Sequence, residues 1–180
     1  LAIRTAADPP RMDARFVSDK LDFDDLAGLV GAPPATGEGE TASAEQEAEA
    51  TLREGLARSP KSALLQHSLG LALARQKRTA ESLKALGEAA RLAPDDARLA
   101  YVYAVALNDA GRRREALDLL RVTLKRQPWD RDVLTGLVHF SLQAGDRAAA
   151  TRYANQLREL DPESQEHALL ARRVAGGAAP

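Results

Sequence analysis

The sequence predicts an all-α chain built as a solenoid of helix–turn–helix units, and three observations point there. Pro60, Pro94, Pro128 and Pro162 stand 34 residues apart, a fixed period of the kind that marks repeat architectures. Two residues after each proline comes Ser62, Asp96, Asp130 or Ser164, whose side-chain oxygen accepts from the free amides of a helix start. The composition agrees. Aromatic residues make up 4% of the chain against 44% hydrophobic residues overall, so alanine and leucine supply the packing volume. That mix suits closely packed helices better than sheets.

Taken in order, residues 1–30 form an acidic N-terminal segment. Residues 1–42 hold eight acidic and four basic residues, net −4, which leaves 21 basic and 18 acidic residues, net +3, for the remainder. Phe16 to Val30 has the pattern of a short amphipathic helix with Ser18 as its cap. Residues 31–42, rich in glycine and proline, read as a linker that cannot be helical. Ser43 and Gln46 are spaced as a capping box, opening a helix over 43–58 with Ala48, Leu52 and Leu56 on its apolar face. Because the helix slot before it is empty, that face is expected to need cover.

Full repeats follow at 63–96, 97–130 and 131–164. In the central one, Leu99, Ala100, Tyr103, Ala104 and Leu107 make one amphipathic stripe, and Ala116, Leu117, Leu120 and Leu124 make a second. Gly111 breaks the helix between them, as Gly145 does one repeat later. The outer repeats give Leu65, Leu69, Leu73 with Leu83, Leu86, Ala90, and Val133, Leu137, Val138 with Ala150, Ala154, Leu157. A closing helix over about 165–175 covers the last apolar face, and 176–180 is a tail.

These residues resemble the tetratricopeptide repeat (TPR) family, which puts small residues where the helices of a hairpin cross. Gly70, Ala104 and Val138 occupy the first crossing position, and Ser82, Ala116 and Ala150 the second. The resemblance runs over residues 43–175 and implies a right-handed α-solenoid. Departures are Gln66, Ala100 and Leu134 at the family's early aromatic position, and Lys77 at the turn glycine of the first repeat. Arginine outnumbers lysine 20 to 5, a bias that fits a GC-rich bacterial source.

The residues offer no catalytic constellation. The net charge of −1 and pI near 6.4 give no overall attraction to nucleic acid or an anionic membrane. There is no cysteine, which removes thiolate nucleophiles, disulfides and cysteine metal sites. His67, His139 and His167 have no metal-ligand spacing. Neither a nucleophile elbow nor a phosphate loop is present, and no apolar run reaches transmembrane length. The expectation is a non-enzyme without cofactor, in the cytoplasm or periplasm of a bacterium. Arg112, Arg113 and Arg114 read as a solvated turn. Trp129, the single tryptophan, is expected to pack across a repeat junction, with an interface anchor as the alternative.

The resemblance also implies a concave groove lined by the first helices, one that holds a segment of another protein. Its positions correspond to Leu64, His67, Leu71, Ala74 and Arg75, then Arg98, Tyr101, Val105, Asn108 and Asp109, then Asp132, Thr135, His139, Leu142 and Gln143. Some family members clamp a C-terminal carboxylate here. The matching positions are His67, Leu71, Val102, Asp132 and Gly136, so that clamp is missing. Leu71, Tyr101, Val105 and Leu142 would make an apolar floor, with Arg75 and Arg98 to one side. Such a groove suits an amphipathic or apolar-acidic segment, and residues 1–30 of this chain are a candidate occupant or a cap.

The leading reading is therefore an interaction scaffold or adaptor. The alternative is a C-terminal regulatory or docking domain of a larger enzyme or electron-transfer protein. The region Tyr101–Pro162 is similar to TPR tails of bacterial multihaem cytochromes, and Leu1 rather than Met starts the chain, as in a processed protein or a piece of one. Homodimerisation through the helix of His167 is compatible with an exposed solenoid end. If the register is right, Ala104→Arg or Ala150→Arg unfolds the chain by overpacking a crossing. A circular-dichroism melt that either substitution leaves unchanged would count against it.

Overall fold

The structure, a computed structural model, describes residues 38–176; the readings made for residues 1–37 and 177–180 lie outside it. Among the described residues the chain forms eight α-helices: α1 Glu38–Arg58, α2 Ala63–Arg75, α3 Thr79–Leu92, α4 Ala97–Asp109, α5 Arg113–Arg126, α6 Arg131–Gln143, α7 Arg147–Leu160 and α8 Gln165–Gly176. Helices α2/α3, α4/α5 and α6/α7 are the three hairpins, and α1 and α8 flank them.

The first helix of each hairpin starts where a side chain can satisfy its orphan amides. Ser62 Oγ accepts from Leu65 N at 3.3 Å. Asp96 Oδ1 accepts from Arg98 N at 3.0 Å and Leu99 N at 3.2 Å. Asp130 Oδ1 accepts from Val133 N at 2.8 Å. At the closing helix Ser164 Oγ accepts from His167 N at 3.2 Å.

Each first helix ends in the same left-handed turn. Gly111 and Gly145 both have φ of 78°, and Lys77 takes the equivalent position at φ 59°. In every case two amides reach back over the helix end: Lys77 N to Ala74 O and Arg78 N to Leu73 O, both at 2.9 Å, set the pattern. Glycine adopts this backbone freely, whereas a Cβ there is crowded by the following carbonyl.

The crossings are as close as the small residues allow. Gly70 lies so near α3 that a Cβ on it would meet Leu86 Cδ2 and Cγ at 2.6 Å. Ser82 is buried opposite and donates its hydroxyl to Gly70 O at 2.8 Å. Ala104 and Ala116 are fully buried at the second crossing, and Val138 and Ala150 at the third. The bulkier Val138 is accommodated because Ala150, Ala154 and Ala171 surround it.

The central core runs from α4 through α5 to α6, with Leu107, Leu120, Val133, Leu137 and Phe140 buried together. Leu71, Leu86, Val102 and Ala106 join the first hairpin to the second. Side chains also stitch the inter-repeat turns to the next repeat: Arg126 Nη1 donates to Pro94 O at 3.0 Å, Gln127 Nε2 to Asp95 O, and Gln156 Nε2 to Pro128 O at 3.0 Å. At the far end Ala171 and Val174 of α8 close over Val138, Ala150 and Ala154.

The N-terminal end corrects two expectations. Helix α1 begins at Glu38, so residues 38–42 are helical rather than linker, and Ser43 lies inside the helix instead of capping it. One glycine inside a helix costs only about 1 kcal/mol, and an acidic start favours the helix dipole. The tail likewise shortens, since Gly176 belongs to α8. The face of α1 expected to need cover is already half-buried: Leu52 and Leu56 pack on Leu69, Leu73 and Ala85, leaving Ala48 exposed. Charged side chains complete the clamp. Arg78 Nη1 meets Glu49 Oε2 at 2.7 Å, and its Nη2 meets Glu81 Oε2 at 2.6 Å.

The Lys77 turn yields a direct test. Lys77→Gly relieves the left-handed strain and should stabilise the chain by about 1 kcal/mol, while Gly111→Ala should cost about as much. Urea denaturation followed by circular dichroism reads both; a Lys77→Gly variant no more stable than the parent contradicts the strain assignment.

Candidate functional site

The first helices α2, α4 and α6 share one side of the solenoid, and α4 touches α6 directly. That contact depends on Gly136, where a Cβ would meet Tyr101 Cε2 at 3.1 Å and Leu120 Cδ1 at 2.9 Å. The ring of Tyr101 therefore lies against the α6 backbone. Its hydroxyl is pushed above the usual phenol range by burial and by the nearby carboxylates of Asp132 and Asp109. Asp132 is itself raised, by burial first and then by Asp130, with Arg98 pulling the other way.

The predicted groove residues divide into three sets. Leu64, Arg75, Arg98 and Asp109 are exposed, and Tyr101, His139 and Leu142 are half-buried. His67, Leu71, Val105 and Asn108 are buried, Val105 completely. The apolar floor is thus not an open surface. Leu71 packs against Leu86, Val102 and Ala106 of the neighbouring units, Val105 joins the central core, and Leu142 leans on the α8 cluster. Successive first helices sit close enough that the apolar positions between them are consumed by the next repeat. What stays accessible is polar: Arg75, Arg98, Asp109, Asp132 and Gln143, with Tyr101 and His139 between. A small cleft of about 100 Å3 lies at the α2–α4 junction, lined by Ala74, Thr79, Ser82, Leu83, Ala106 and Asp109.

Asn108 and Arg113 form a bridge that reading the arginine run as solvent-facing missed. Arg113 Nε donates to Asn108 Oδ1 at 3.0 Å and reaches Gln143 Oε1 at 3.3 Å, tying α4, α5 and α6 at one rim. Arg112 is engaged as well, pairing with Glu115 at 2.6 Å. A charge run in a turn carries no signal for this; the partners come from the end of α4, at Asn108, and from the next repeat, at Gln143. Trp129 departs furthest from expectation. It is 68% exposed rather than packed across a junction, because the junction beside it is filled by Gln127 and Gln156 bonding to turn carbonyls.

Among the described residues no group of three or more His, Cys, Asp or Glu side chains is placed to hold a metal ion, and no helix is long and apolar enough to cross a membrane.

With this geometry in place, likeness to known proteins can be stated. Residues 107–173 match the tetratricopeptide repeat family, and no curated protein matches the sequence. Among solved structures, the chain is similar to MamA 41-end from Desulfovibrio magneticus RS-1, at 14% identity and a TM-score of 0.62, covering 86% of this chain and 82% of that one. It is similar to YrrB, described as a TPR protein with an unusual peptide-binding site, at 16% identity and a TM-score of 0.61, covering 84% and 73%. It is also similar to pilF of Pseudomonas aeruginosa, at 21% identity and a TM-score of 0.64, covering 76% and 63%. At these identities the likeness is one of fold. Over its described residues the chain has the all-α solenoid fold of tetratricopeptide-repeat proteins.

His67 gives a pH test of this arrangement. Burial, reinforced by Arg98 and opposed by Asp96, holds its imidazole below the ordinary value of 6.5, and its Nδ1 is buried without a partner. The unfolded chain therefore takes up the proton first as pH falls, so stability drops from about pH 6.5 downward to the lowered folded value. His67→Gln, which does not titrate, should flatten that part of the profile. Parallel stability–pH curves for the two proteins would exclude His67 as a source of the acid sensitivity.

Proposed function

We propose that this chain is a protein-interaction scaffold that holds an amphipathic segment of another protein against the side formed by α2, α4 and α6. The observation that carries it is the accessible band of Arg75, Arg98, Tyr101, Asp109, Asp132 and His139, which a buried core leaves available on one side. Such a band combines guanidinium groups, which pair with carboxylates in a fixed geometry, with one aromatic ring held rigid by Gly136. A rigid ring loses little entropy on binding.

The polar character of the band narrows the occupant. Since Leu71 and Val105 are covered, a wholly apolar segment would gain little area here. An amphipathic segment instead rests apolar side chains on Tyr101 and the Leu142 edge and aims carboxylates at Arg75 and Arg98. Nothing in this reading requires a catalytic step or a cofactor.

The proposal is tested by affinity capture with the full chain, comparing Arg98→Glu and Arg75→Glu with Arg152→Glu on the exposed face of α7. The expected result is at least about tenfold weaker retention of the captured protein for the first two, with unchanged melts. Loss confined to Arg152→Glu would move the binding surface to the other side of the solenoid.

A further inference from the structure

The turn between α5 and α6 holds the most exposed aromatic side chain among the described residues, Trp129, at 68%. It does not stand alone. The residues on either side of Pro128 and Trp129, namely Gln127 and Asp130, line an open cleft of about 490 Å3, together with Asp95, Asp96, Ala97 and Arg98. The cleft is formed by two successive inter-repeat turns, held in register by Gln127 bonding to the Asp95 carbonyl.

Charge at this edge is unbalanced. Asp95, Asp96 and Asp130 line the cleft against one guanidinium, Arg98. Of the flanking cations, Arg126 donates to the Pro94 carbonyl at 3.0 Å and Arg131 pairs with Asp161 at 3.4 Å. The caps engage Oδ1 of Asp96 and of Asp130. The cleft lining therefore sets three carboxylates against one guanidinium, next in sequence to an exposed indole.

We propose that the Trp129 turn and the Asp95–Asp96–Asp130 cleft form a second docking surface, meeting the α2–α4–α6 side at Arg98, for a basic segment of a partner protein. A lysine or arginine side chain enters the cleft, and an adjacent aliphatic side chain lies on the indole. The two halves of the surface reinforce one another. A cation is drawn by carboxylates and by the face of an aromatic ring alike, and tryptophan is the ring that attracts it most. Exposed tryptophan is also the residue type most enriched among binding hot spots.

Trp129 is the only tryptophan in the chain, so its fluorescence reports this surface alone. The probe is a short synthetic peptide alternating lysine and leucine, titrated into the full chain, with a glutamate–leucine counterpart as control. The lysine peptide should shift Trp129 emission to shorter wavelength. Its affinity should fall about tenfold in Asp95→Asn, an exposed position outside the caps, and again in moderate salt. Trp129→Ala, followed by anisotropy of labelled peptide, should cost about as much. Asp96→Asn and Asp130→Asn add to the loss while keeping the caps, since asparagine caps as well as aspartate. The proposal is overturned if the glutamate peptide shifts emission equally, if the lysine peptide has no effect, or if Asp95→Asn and Trp129→Ala bind it undiminished. A shift that follows protein concentration without peptide would assign the turn to a second copy of the chain and overturn it equally.

Discussion

Two hairpins close over a pair of small residues and the third over Val138 and Ala150, and the dimensions of the whole solenoid follow from those three crossings. At the first, a glycine faces Leu86 with no room for a methyl group, and the neighbouring Ser82 uses the proximity to bond the Gly70 carbonyl. Where alanine pairs with alanine, at Ala104 and Ala116, both are fully buried. Larger side chains fill the space around these crossings, and Leu86, Leu107 and Leu120 are buried in the clusters that link the units. In a solenoid each unit packs only on its neighbours, so the geometry of one crossing propagates to the next.

That dependence explains how the ends are built. A terminal hairpin offers an apolar flank with nothing beyond it. The C-terminal flank is met by a lone helix contributing Ala171 and Val174. The N-terminal flank is met by α1, which adds two leucines and an ion network centred on Arg78. The guanidinium of Arg78 holds the carboxyls of Glu49 and Glu81 well below the usual range. Exposed pairs of this kind contribute little alone. Here they add a polar tie from α1 to the first hairpin beside an apolar interface of four leucines and an alanine.

Local signals in the sequence were read more faithfully than relational ones. Caps at Ser62, Asp96, Asp130 and Ser164, and the left-handed turns at Gly111 and Gly145, are decided within a few residues, so spacing alone places them. Lys77 could be named as a departure because the period marks the position, and it takes the left-handed backbone anyway, held by the same two return bonds. Exposure in the groove is different. Whether Leu71 or Val105 meets water depends on how far the next first helix stands off: Leu71 is covered by Val102 and Ala106 of α4, and the α4–α6 approach depends on the missing side chain at Gly136, 31 residues after Val105. Trp129 fails in the opposite direction. A tryptophan beside a turn usually finds a junction to fill, yet here two glutamines occupy it by bonding turn carbonyls. The start of α1 was misjudged because glycine and proline density was weighed above the low cost of extending an existing helix.

The size of the binding surface follows from the repeat count. Packed helices stand about 8–10 Å apart, so α2, α4 and α6 present a band roughly 20–30 Å across. An extended segment advances about 3.4 Å per residue, so the band spans only about six to nine residues of a partner. Its centre, moreover, is polar, since the apolar positions are spent on inter-repeat packing. A contact so short and so polar has little area from which to draw affinity. A short solenoid therefore gains disproportionately from any additional contact at its turns, because two linked contacts multiply through effective concentration even when each alone is weak. The inter-repeat turns suit that use: their backbone is fixed by the Gln127 and Gln156 bonds, their residues are released from core packing, and their N-caps already gather negative charge. Solenoid geometry thus leaves two surfaces, a first-helix side where Arg75 and Arg98 stand among Asp109 and Asp132, and a turn edge where Asp95, Asp96 and Asp130 gather.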